Sequence, residues 1–133
     1  MALVVTAAGC AHRGPQFVDD NRTYTMSNVS GVLDVADTSS LKTVPVSESQ
    51  RLRHNALASL RSEGKRASAA ANLITSIFPA DAMAVPVYVE RAHVDGRAVF
   101  LIVEAIGPRD GNLEDKRLWV VDTKGDVLFS ATK

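Results

Sequence analysis

The sequence of 133 residues contains a single cysteine, so an internal disulfide and a cysteine-rich zinc site are both excluded. Aromatic residues are scarce, with one tryptophan, two tyrosines and four phenylalanines. Net charge is also lacking, because fifteen basic side chains balance fifteen acidic ones. With few stacking platforms and no basic excess, nucleic-acid binding is not expected. No run of about 20 apolar residues occurs, so the sequence holds no ordinary transmembrane helix. Chemistry-bearing motifs are missing as well. There is no glycine-rich phosphate loop, no G-x-S-x-G elbow and no H-x-x-x-H pair, since His12, His54 and His93 fall in separate segments. No metal, cofactor or catalytic residue is therefore assigned, and a non-enzymatic protein is expected. What is present suits a folded domain: 46% hydrophobic and 23% charged residues in a chain near the modal domain length.

The first ten residues carry the strongest local signal. An apolar run from Ala2 to Ala8 ends in Ala7-Ala8-Gly9-Cys10. Small residues directly before a cysteine resemble the lipobox of a bacterial lipoprotein signal. That resemblance implies acylation at Cys10 and an extracytoplasmic, membrane-anchored location. No positive segment precedes Leu3, so the true start is expected upstream of Met1. The alternative is a buried strand, Leu3 to Ala8, with Cys10 as a small core hydrophobe in a cytoplasmic protein. Residues 11–20 contain Gly14-Pro15, charges and no hydrophobic period, which reads as a tether and favours the anchor. The expected division is a truncated signal over 1–10, a tether over 11–20 and one domain over 21–133.

Within that domain the patterning predicts an α+β fold. Val29 to Val35, interrupted by Gly31, reads as a short extra strand. Ser47 and Gln50 have capping-box spacing. Leu52, Ala56, Leu60, Ala67, Ala71, Ile74 and Phe78 then follow one helical arc up to Pro79. This is one long helix, with Gly64 as the point where it can break in two. From Ala84 the period becomes two. Val85–Val94 and Arg97–Ile106 flank Asp95-Gly96, a strong signal for a type I′ hairpin. Arg117–Asp122 and Val127–Ser130 form a second hairpin. The helix is expected to pack on this four-stranded antiparallel meander, with Pro86 placing its first strand at an edge.

Val99 to Val103 is apolar at every position, so both faces of the sheet centre need cover. The helix supplies one face. The other falls to residues 21–47, a second subunit or a partner. Val94-Asp95-Gly96-Arg97 and Val121-Asp122-Thr123-Lys124-Gly125-Asp126-Val127-Leu128 resemble the hairpin turns of PepSY-type domains, over residues 67–130. This resemblance implies a regulator of an envelope peptidase. Strand, helix and four strands in order also resemble cystatin-like folds. Their Gln-x-Val-x-Gly tip is absent here, where the corresponding hairpin reads His93-Val94-Asp95-Gly96-Arg97.

A two-residue Asp95-Gly96 loop sets Glu90 opposite Leu101 and Glu104 opposite Val87. The two glutamates then lie on opposite sheet faces and cannot share a proton as an acid–base pair. Glu104 reads as a carboxylate near the sheet edge, paired to an Arg or Lys; a ligand role is the alternative. Residues 48–79 hold a basic excess of three. His54, Arg61 and Lys65 form one stripe there, either a contact for an anionic surface or acidic partner, or a solvated helix face. The reading as a whole is a lipid-anchored binding domain of the cell envelope, contacting an envelope protein or a second copy of itself. The alternatives are a PepSY-like peptidase regulator and a soluble homodimeric structural domain.

Overall fold

Val99 to Val103 forms the middle of a five-stranded sheet and is fully covered on both sides. The computed structural model describes residues 14–133. Its elements are β1 (Gln16–Tyr24), α1 (Val32–Val35), α2 (Ser49–Arg61), α3 (Lys65–Ile77), β2 (Val85–Val94), β3 (Arg97–Ile106), β4 (Asp115–Asp122) and β5 (Val127–Thr132). The sheet order is β1-β2-β3-β4-β5. β2 to β5 form the expected antiparallel meander, and β1 joins it in parallel beside β2. No described helix is long and apolar enough to cross a membrane. Cys10, the lipobox residues and the Leu3–Ala8 alternative lie outside the described residues.

The α+β class holds, and several finer expectations change. The single long helix is two helices of 13 residues each, broken at Gly64 with φ +118 and ψ 178. That conformation is essentially open only to glycine, so the break is written into the residue type. Ser47 does not form the capping box. A 3-10 turn over Val46–Glu48 leads into α2, and the Gln50 side chain instead donates to the Asp81 carbonyl at 3.1 Å. Val29–Val35 is not a strand but a 3-10 turn followed by the single turn α1. The extra strand is β1, so the second half of the expected tether, Gln16–Asp20, belongs to the sheet.

Pro86 does not mark an edge, because β2 lies between β1 and β3. Pairing with β1 begins only at Tyr88, beyond the proline. A register shift between Pro86 and Tyr88 moves the partner of Glu104 from Val87 to Pro86. A residue without an N–H is tolerated at such a bulge. The hairpin itself follows the sequence: Asp95 and Gly96 have φ +50 and +83, and Glu90 faces Leu101.

Two layers bury the sheet. On one face, Leu60 from α2 and Ala67, Ala70, Ala71 and Ile74 from α3 pack on Val89, Phe100, Ile102 and Val121. The alanines let α3 approach closely. On the other face, Val29, Val32, Leu33 and Ala36 pack on Leu101, Val103, Leu118 and Val120. Residues 29–36 thus supply cover for which a second subunit was an alternative. The Lys116 ammonium holds this short segment by donating to the Leu33 and Ala36 carbonyls, at 2.6 and 2.9 Å.

β1 pairs with β2 in two stretches separated by an irregularity between Val18 and Arg22. Asp19, within it, accepts from Arg66 of α3 at 2.8 Å and from Arg91 of β2 at 3.2 Å. The Arg66 hydrogen bond, offset in part by desolvation and aided by Arg91, holds the Asp19 carboxyl below its ordinary value of 3.8. A lowered folded pKa contributes stability that is complete above the unfolded value and lost as pH falls through the folded one. Asp19→Asn should therefore reduce stability at neutral pH and flatten the acid limb of a stability-against-pH curve from urea melts; an unchanged acid limb counts against this clamp. Gly64→Ala separates one helix from two. In a continuous helix it would stabilise by about 1 kcal/mol, whereas at this φ it should destabilise by about 1–3 kcal/mol in the same urea assay.

Candidate functional site

The helix-side face of the sheet carries one buried ionic node. Glu104 projects from β3 and is 2% exposed. Arg53 reaches it from α2, because Arg53, Ala56 and Leu60 share the inward arc of that helix. Arg53 Nη1 donates to Glu104 Oε2 at 2.9 Å and to the Ala84 carbonyl at 2.9 Å. Trp119 Nε1 on β4 donates to Glu104 Oε1 at 2.8 Å. The Trp119 ring packs against Phe78 at a centroid distance of 5.1 Å and receives the Arg117 guanidinium at 5.0 Å. Glu104 is thus paired to an arginine, as its residue type suggested, but in an interior strand and not near an edge. The pair joins α2 to the sheet across 51 residues of sequence.

A second buried carboxylate occupies the opposite face. Glu90 is 0% exposed. It accepts from the Tyr88 hydroxyl at 2.6 Å and from the Tyr24 hydroxyl at 2.9 and 3.0 Å. Burial raises the pKa of both phenols; Arg22 opposes it at Tyr24, and the neighbouring Glu90 adds to it at both. Both therefore stay protonated and donate across the physiological range. Tyr24 stands at the end of β1, so this triad latches β1 onto β2. Neither cavity described below is lined by these three residues, so the triad is not presented to a ligand there.

Two concavities flank α2. The larger, about 640 Å³, lies between the start of β1, the 37–41 turn, α2 and the Val85–Val87 segment. Gln16, Asp37, Ser39, Arg51, Asn55 and Pro86 give it a mixed polar and apolar lining. The Ser39 backbone N–H donates to Asp37 Oδ1 at 2.9 Å and holds that carboxyl below the usual range. Gly14 also lines this groove and packs so closely on Ser59 that any side chain there would clash. The first described residues, Gly14 to Gln16, thus form one wall of this groove. The smaller concavity, about 200 Å³, lies on another side of α2 toward the end of α3.

The expected cationic stripe is divided by the fold. His54 and Arg61 both line the small cleft, whereas Lys65 opens α3 and does not. Arg61 is held by Asn72 Oδ1 at 3.3 Å and Thr75 Oγ1 at 2.8 Å. Arg53 and Trp119 were not found from sequence. The available signal was an arginine on an otherwise apolar helical arc and a lone glutamate in an apolar strand, each implying an opposite charge without naming it. Among the described residues, no three His, Cys, Asp or Glu side chains group as a metal site. No family model, curated protein or solved structure matches the chain.

The buried pair makes a quantitative prediction. Arg53→Met strands an unpaired carboxylate and should cost about 3–5 kcal/mol in urea unfolding. Adding Glu104→Leu should recover most of that loss, because an apolar replacement of a whole buried pair is often neutral or stabilising. Simple additivity of the two losses would show that the side chains are not coupled.

Proposed function

We propose that this chain is a non-catalytic binding domain of the bacterial cell envelope, anchored to the membrane by acylation at Cys10. The supporting observation is the groove of about 640 Å³ lined by Gly14, Pro15 and Gln16, the first described residues. A mixed lining of carboxylate, guanidinium, amide and hydroxyl groups around apolar surface suits recognition of a partner segment. The groove also stands near the proposed lipid. Cys10 precedes Gln16 by six residues, a span of at most ~22 Å when fully extended. An anchor at that distance places the groove close to the bilayer and raises the effective concentration of the domain toward membrane-proximal partners.

Attachment in this reading comes from several acyl chains on one residue. Each buried methylene contributes about 0.8 kcal/mol, so a single chain binds only marginally and multiple chains hold firmly. In the native host, from the native gene with its upstream region, the protein should incorporate labelled palmitate and fractionate with membranes. Cys10→Ala should abolish both. A native protein that stays unlabelled in the soluble fraction would overturn the anchor.

A further inference from the structure

The small cleft beside α2 combines cationic and apolar walls in a way that the anchor does not explain. Gln50, His54, Leu57 and Arg61 recur at steps of four, three and four, so they form one stripe of α2 facing the end of α3. Beneath the stripe lies Arg53, 3% exposed, which also lines the cleft. Among the described residues its hydrogen bonds leave from Nη1, and the guanidinium borders the space it lines. Arg61 is braced through Nε and Nη2 by Asn72 and Thr75, with Nη1 unengaged among the described residues. Among the described residues, no aspartate or glutamate lines the cleft. Leu57, Phe78 and Pro79 form its apolar wall.

We propose that this cleft binds a small monocarboxylate, with the carboxylate at Arg61, Arg53 and His54 and a short hydrocarbon body against Leu57, Phe78 and Pro79. The planar guanidinium fork matches a carboxylate in geometry. Bracing of Arg61 removes rotamer freedom that binding would otherwise have to remove. Glu104 already neutralises Arg53 from behind, so the excess charge is carried by Arg61 and suits one negative charge better than two. The volume of about 200 Å³ is small and suits a short organic acid.

The test is a titration of the ¹⁵N-labelled full chain with butyrate, followed by amide shifts. Butyramide supplies the same body without charge, and inorganic phosphate supplies charge without the body. Butyrate should give saturable shifts confined to Gln50–Arg61 and Thr75–Ala80, with both controls much weaker. Arg61→Ala should weaken butyrate roughly tenfold or more, as loss of a charge-assisted hydrogen bond requires. Lys65→Ala, on the same expected stripe but outside the cleft, should bind as the parent does. His54→Ala alters an exposed residue and should also weaken binding, which keeps the test valid if Arg61→Ala disturbs the helix pair. Amides of β3 and β4 report whether each variant is folded. The proposal is overturned if butyrate fails to saturate, if butyramide or phosphate binds as tightly, if Lys65→Ala loses affinity equally, or if both cleft variants bind like the parent.

Discussion

A central strand that is apolar on both faces governs this architecture. Val99, Leu101 and Val103 point one way, and Phe100 and Ile102 the other. Leaving either set in water would forfeit about 25 cal/mol for each Å² of apolar surface exposed. Two covering layers are therefore required, and the chain supplies them unequally. Two helices of 13 residues cover one face, whereas residues 29–36 cover the other with little more than two turns. The thin layer works because its side chains are branched and its carbonyls are tied to the Lys116 ammonium. The thick layer works because alanines bring α3 close to the sheet.

Two buried carboxylates inside this core each fasten a separately placed element. Glu104 is met by a guanidinium and an indole N–H, which tie α2 to the sheet. Glu90 is met by two phenols, one of which fixes the end of β1. The two arrangements differ in their donors: Glu104 takes a guanidinium and an indole N–H, and Glu90 takes two phenolic hydroxyls. Neither carboxylate can shift to another partner without leaving hydrogen bonds unmade. Buried polarity of this type specifies which element packs where, beyond what apolar matching alone requires.

α2 is the element on which the surface features converge. Arg51 and Asn55 face the large groove, Gln50, His54 and Arg61 face the small cleft, and Arg53 lies beneath. A helix of period 3.6 distributes neighbouring residues around its axis, so one segment can line two concavities while burying a third arc. Its position is fixed from below by the Arg53–Glu104 pair.

Local chemistry determined a large part of this protein in advance. Positive φ at Asp95 and Gly96 fixes the first hairpin and its register from the turn back to Tyr88, helical spacing marks α2 and α3, and Gly64 marks the break between them. The same spacing placed His54 and Arg61 on one stripe. Only the tertiary structure decided the rest. β1 is a mostly exposed edge strand whose residues Gln16–Asp20 do not alternate, so no period announces it; its place comes from pairing with β2 and from Tyr24 reaching Glu90. Arg53 likewise finds Glu104 across 51 residues, and Lys65 separates from Arg61 because the chain turns at Gly64. Periodicity and turn chemistry act over a few residues, whereas partners for a buried charge or an edge strand are chosen by which surfaces the packed core brings together.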